Sequence, residues 1–115
     1  MRTLLKGGLV VSGTETRRAD ILIEGETILA VGTDLPEEGA RVVDCGGKLL
    51  FPGFIDGHTH FDLPVAGTVT ADDFVTGSRA GLRGGTTMVV DFSAPDKGET
   101  LHHGLDLWPE KAGGE

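Results

Sequence analysis

The amino-acid sequence predicts an α/β chain: a small sheet over residues 1–52, then a β-α-β-α stretch over residues 53–115. Three observations carry this. Residues 3–50 are short apolar runs separated by glycine and charged turns, with no competing stretch at the helical period. Near Phe51 the style changes, and two strand-like runs alternate with two helix-like ones. The first of those later strands gathers its polar residues at its C-terminal end, before a Pro/Gly loop, which is where α/β barrels place their chemistry.

In the first segment, Leu4-Leu5 leads to Gly7-Gly8, and Leu9-Val10-Val11 to Ser12-Gly13. Ala19-Asp20-Ile21-Leu22-Ile23 and Thr27-Ile28-Leu29-Ala30-Val31 flank Glu24-Gly25-Glu26, the pattern of a hairpin. Ile21 and Ile23 alternate with Leu22 and Glu24, so one face is apolar. Leu35-Pro36-Glu37-Glu38-Gly39 reads as a solvated acidic loop. Arg41-Val42-Val43-Asp44 is a further strand, turned by Gly46-Gly47 into Lys48-Leu49-Leu50-Phe51. The expected product is a small antiparallel sheet without chemistry. Cys45, before a turn and without a nearby histidine, reads as a buried small hydrophobe.

The stretch Phe51-Pro52-Gly53-Phe54-Ile55-Asp56-Gly57-His58-Thr59-His60-Phe61-Asp62-Leu63-Pro64 carries the chemistry. On a strand, His58 and His60 point to one face, with Cα atoms about 6.6 Å apart at about 3.3 Å rise per residue. Imidazoles leaning together from that spacing can reach one metal ion at about 2.0–2.1 Å. Asp56 and Asp62 share the face by the same alternation, and Phe54, Ile55 and Phe61 supply the apolar surroundings of a buried strand.

Leu63-Pro64-Val65-Ala66-Gly67-Thr68-Val69 reads as a loop at the mouth of that strand, either a wall of a substrate site or a plain connector. Thr70 is the expected N-cap of the first helix, with Asp73 as capping-box partner. Ala71, Phe74, Val75, Ser78 and Leu82 recur at helical spacing, Phe74 as core, and Gly84-Gly85 ends the helix. Arg79 and Arg83 form a solvated face. Thr86-Thr87-Met88-Val89-Val90-Asp91-Phe92 is nearly all apolar, as in a strand buried on both faces and parallel to the first. Asp91 falls near its C-terminal end, a buried carboxylate in need of a partner. It reads as a supporting or structural group, with direct metal contact as the alternative. After the loop Ser93-Ala94-Pro95-Asp96-Lys97-Gly98, a weaker helix spans 99–112, with an apolar stripe of Leu101, Leu105 and Trp108 opposed by Gly104 and Pro109. His102 and His103 diverge on that helix and read as surface residues. Gly113-Gly114-Glu115 reads as a closing turn.

A formal charge of −8 argues against nucleic acid and anionic membrane partners. A single cysteine excludes an internal disulfide and fits a reducing compartment. The start of the chain lacks a signal-peptide core, and no apolar run reaches the ~18–20 residues of a membrane span, so a cytoplasmic location is expected.

Pro52-Gly53-Phe54-Ile55-Asp56-Gly57-His58-Thr59-His60 resembles the first-strand signature of the metal-dependent amidohydrolase superfamily. Phe61-Asp62-Leu63-Pro64, Gly67-Thr68-Val69-Thr70-Ala71-Asp72-Asp73-Phe74, Gly84-Gly85-Thr86-Thr87 and Val90-Asp91-Phe92, in that order, resemble its hydantoinase/dihydropyrimidinase branch. The resemblance implies a fold: the N-terminal part of a (β/α)8 TIM barrel, preceded by half of a small β-sandwich whose other half lies far beyond residue 115. A complete barrel takes roughly 250 residues, so 115 residues leave it incomplete, and the chain is expected to be a fragment. The sheet of the first segment should then show an uncovered apolar face or an open edge.

The implied reaction is hydrolysis of a cyclic amide, such as a hydantoin or dihydropyrimidine ring, by hydroxide bridging two divalent metals, commonly zinc. The matching metal positions are His58 and His60, while Asp62, Leu63, Pro64 and Asp91 match supporting or substrate-loop positions. The family's bridging carbamylated lysine, two further histidines and proton-transferring aspartate fall beyond residue 115. Lys97 and Lys111 do not occupy the lysine's context, so no catalytic residue is expected here and the chain alone should be inactive. The resemblance also implies a homo-oligomer, a tetramer, for the complete enzyme. An allantoinase- or dihydroorotase-like enzyme, or a non-catalytic scaffold of the same fold, are the alternatives.

Overall fold

The structure, a computed structural model, describes residues 1–113. The chain divides into two compact units, Met1–Pro52 and Gly53–Glu115.

The first unit is a five-stranded sheet built around β1 (Arg2–Val11). On one edge β1 pairs antiparallel with β2 (Thr16–Glu24), and β2 with β3 (Thr27–Gly32), through the hairpin read from the sequence. On its other edge β1 pairs in succession with β4 (Ala40–Asp44) and β5 (Leu49–Leu50), both parallel to it. The sheet is therefore mixed, which corrects the antiparallel expectation. Alternating runs reveal strands but carry no information on the direction in which a distant strand returns.

β1 also runs straight through the expected break at Gly7-Gly8. Its pairing with β2 shifts between Leu5 and Gly8, and Gly7 bulges at φ 75°. The displaced Gly7 N–H donates to Asp20 Oδ1 at 2.8 Å, and so the buried Asp20 carboxylate is partnered. Leu4, Ala19, Leu22 and Cys45 form the buried core of this unit. Ile28, Leu29, Val31, Val42 and Leu49 remain exposed.

In the second unit, β6 (Phe54–Thr59) and β9 (Thr86–Asp91) form a parallel pair. The chain between them holds a small hairpin, β7 (Pro64–Val65) and β8 (Thr68–Val69), and the helix α1 (Phe74–Arg83). The loop expected over residues 63–69 is thus a hairpin with a two-residue turn, Ala66-Gly67, at φ 49° and 79°, as a type I′ geometry demands. The cap of α1 is also corrected. Asp73, not Thr70, is the N-cap: its carboxylate accepts from the Thr76 N–H at 2.7 Å, while the Asp73 N–H donates to Thr76 Oγ1 at 3.1 Å. Thr70 is held by the hairpin instead, its hydroxyl accepting from the Leu63 N–H at 2.9 Å. Gly84 caps the far end, as read.

α2 (Leu101–Ala112) forms despite Gly104 and Pro109. A Cβ on Gly104 would lie 2.5 Å from Ser93 Oγ, so the glycine lets α2 close onto the segment after β9. His102 and His103 are exposed. The turn expected over Gly113, Gly114 and Glu115 falls, for its last two residues, outside the described residues.

The apolar residues of β6 and β9 are not buried here: Phe54 is 52%, Ile55 64%, Met88 57% and Val90 49% exposed. The burial on both faces read for the Thr86–Phe92 run is thus not present among the described residues. Among the described residues, each of these strands pairs only with the other. No helix among the described residues is long and apolar enough to cross a membrane.

Candidate metal centre

The end of β6 is shaped by an irregularity. Asp56 pairs with Val89 and Thr59 with Asp91, so three steps on β6 match two on β9. Within this bulge the His58 N–H donates to Asp56 Oδ1 at 3.1 Å. Asp56 thus serves the main chain. Asp62 lies three residues past the strand at φ 47°, and there the alternation expected to place it beside the histidines has ended.

The two imidazoles do converge. Their Nε2 atoms are 3.0 Å apart, with ring centroids 4.9 Å apart and ring planes at 75°. Two nitrogens held by one tetrahedral zinc at about 2.0–2.1 Å lie about 3.3 Å from each other, so the observed pair fits a shared ion within a few tenths of an ångström. Phe92 lies against both rings, with centroids at 4.5 Å from His58 and 5.5 Å from His60. Among the described residues, no group of three or more His, Cys, Asp or Glu converges to hold a metal.

The other candidates take distinct places. The Leu63 N–H donates to Thr70, and Pro64 lies exposed in β7 opposite Val69. Asp62 is held by Lys111, whose ammonium lies 3.2 Å from its carboxylate and donates to its carbonyl oxygen at 2.7 Å. Asp91 is only partly buried and is well partnered. Its Oδ1 accepts from the Thr59 hydroxyl and the Phe61 N–H, each at 3.3 Å, and its Oδ2 accepts from Trp108 Nε1 at 3.0 Å. Phe92, Trp108 and Lys111 were missed from sequence. No local pattern marks them, since these contacts span 17 to 49 residues. The adjacency of Phe92 to Asp91, at the end of a strand expected beside β6, was the one available signal.

A model of the amidohydrolase family matches residues 49–105, which include β6, both histidines and β9. Over that stretch the chain is similar to the amidohydrolase family. Over nearly its whole length the chain is similar to D-hydantoinases and dihydropyrimidinases. It is 45% identical over 115 residues to the D-hydantoinase of Geobacillus stearothermophilus, covering 100% of this chain and 24% of that protein. It is 42% identical over 112 residues to the dihydropyrimidinase of Rattus norvegicus, covering 93% and 22%. The solved dihydropyrimidinase of Brevibacillus agri superimposes with a TM-score of 0.91 at 48% identity, over 96% of this chain and 24% of that one. The chain spans about a quarter of the length of the curated relatives it matches.

Proposed function

We propose that this chain is part of a cyclic amidohydrolase that opens a hydantoin- or dihydropyrimidine-type ring, and that His58 and His60 hold one of its divalent metals, zinc. The observation that carries the reading is the 3.0 Å approach of the two Nε2 atoms at the C-terminal end of β6. The similarity to D-hydantoinase and dihydropyrimidinase supports the ring class over allantoin or dihydroorotate. Retention of both histidines supports an enzyme over a scaffold. On the same reading, residues 1–52 are a sandwich portion and residues 53–115 the opening units of a (β/α)8 barrel. The Asp62-Leu63-Pro64 segment and the β7–β8 hairpin form a substrate wall, and the complete enzyme is a cytoplasmic homo-tetramer.

The chain's own residues bind and orient. Both imidazoles offer Nε2 as the donor, the bulge with its Asp56 contact sets the His58 main chain, and Phe92 gives the pair an apolar floor. A divalent cation, when bound, supplies Lewis acidity that activates water and polarises the ring amide. Two protein ligands fall short of the usual three of a catalytic zinc site. The chain alone should therefore bind zinc weakly and leave dihydrouracil and hydantoin intact. Zinc titration of the chain beside His58→Ala and His60→Ala, with both ring substrates assayed, tests this. Zinc binding that is indifferent to both substitutions, or turnover by the chain, would refute it.

A further inference from the structure

His60 is flanked by two residues that answer to one carboxylate. Asp91 Oδ1 accepts from the Thr59 hydroxyl before it and from the Phe61 N–H after it, each at 3.3 Å. The opposite oxygen accepts from Trp108 Nε1 at 3.0 Å. Thr59 is buried, and its hydroxyl also lies 3.3 Å from the Val90 carbonyl. Three donors thus converge on Asp91, which suits an acceptor-only carboxylate and not an amide. The same helix grips a second point, since Lys111 holds Asp62 and lies 4.9 Å from the centroid of the Trp108 ring.

We propose that Asp91, fixed by Trp108, is a positioning residue for His60. By anchoring the chain on both sides of that histidine, the carboxylate holds its ring within reach of the cation that it shares with His58. Ligand geometry must be kept to about 0.5 Å, and His60 lies one residue past the end of β6, so the anchored residues on either side add to the Phe92 contact in holding its ring. This inference rests on the reading of the histidine pair as metal ligands.

The test is zinc affinity of the full chain, by competition with a chromophoric chelator, scaled to the folded fraction from circular dichroism. Asp91→Asn turns a donor toward one of the three donors and should weaken zinc binding about 10-fold. Trp108→Phe keeps an aromatic ring, removes the N–H and should weaken it by less than Asp91→Asn does, since Thr59 and Phe61 still hold the carboxylate. The double variant should recover to the level of Trp108→Phe, because the amide can then turn its NH2 toward the phenyl ring and keep its oxygen on Thr59 and Phe61. Leu101→Ala, on the exposed side of the same helix, should leave affinity unchanged. Wild-type affinity in Asp91→Asn and Trp108→Phe, beside a loss in His60→Ala, overturns the positioning role alone. A double variant no tighter than Asp91→Asn overturns it too, as a purely structural role predicts. Unchanged affinity in His60→Ala overturns the metal reading and this inference with it.

Discussion

Replacing Gly77 with alanine should destabilise the protein, although alanine is the better helix former. In the middle of α1 the substitution gains about 1 kcal/mol of helix propensity. The added Cβ, however, would lie 2.3 Å from Phe61 Cε1, 2.7 Å from Cδ1 and 2.8 Å from Cζ. Relaxed carbon–carbon contacts lie at about 3.5–4.0 Å, so the ring must retreat by more than about 1 Å. It is braced edge-on against Phe74, with centroids 5.6 Å apart. Overpacking of this kind costs roughly 1–3 kcal/mol, and the clash here justifies the upper half of that range, which leaves a net loss of about 1–2 kcal/mol. Gly81 provides the internal control. It lies one turn further along the same helix, and the nearest atom to its added Cβ would be Thr86 Cβ at 3.6 Å, an ordinary contact. Gly81→Ala should therefore stabilise by about 0.5–1 kcal/mol. Urea unfolding followed by circular dichroism reads both. The same sign for the two substitutions would show that helix propensity, and not the fit against Phe61, governs this surface.

Other substitutions probe separate devices. Asp73→Asn should keep the cap of α1, because the amide oxygen still accepts from the Thr76 N–H, but remove the pH dependence that the carboxylate gives it: the Thr76 N–H, and then the Thr76 hydroxyl, hold the Asp73 carboxyl below its ordinary value. Its contribution is thus full above about pH 3.9 and is lost as pH falls through the lowered folded value, which a helicity titration from pH 7 to 2 would record. Ala66→Asn should stabilise the β7–β8 turn by about 0.5–1 kcal/mol, because asparagine tolerates the φ of 49° better than alanine does, and a thermal melt measures it. Gly104→Ala should lever α2 away from Ser93, cost about 1–3 kcal/mol in urea unfolding and lower zinc affinity by loosening Trp108 from Asp91.

Much of this was legible because local chemistry decides it. Alternating Ile21 and Ile23 with a Glu-Gly-Glu turn can form little but a hairpin, and Gly84-Gly85 can hardly continue a helix. The His58–His60 convergence was legible for a similar reason, since two residues so close in sequence carry much of their own geometry even though β6 ends at Thr59, between them. The cap of α1 was misread because Thr70 and Asp73 are both good caps, and only the hairpin's claim on the Thr70 hydroxyl decides between them. The parallel placement of β4 and β5, and the approach of Trp108 to Asp91, depend on where distant parts of the chain come to rest. No period or turn signal encodes that.

The placement of β1 sets how the first unit can fail. This strand is hydrogen-bonded to β2 along one side and to β4 and β5 along the other, so three of the four remaining strands lean directly on residues 2–11. Trimming the chain from its front by a dozen residues would take the pairing partner from β2, β4 and β5 at once and leave only the β2–β3 hairpin paired, whereas a nick at residues 33–39, between β3 and β4, would leave every ladder standing. Affinity handles and protease sites therefore belong in that acidic connection, and any fusion at the first residue must leave the strand behind it free to pair on both sides.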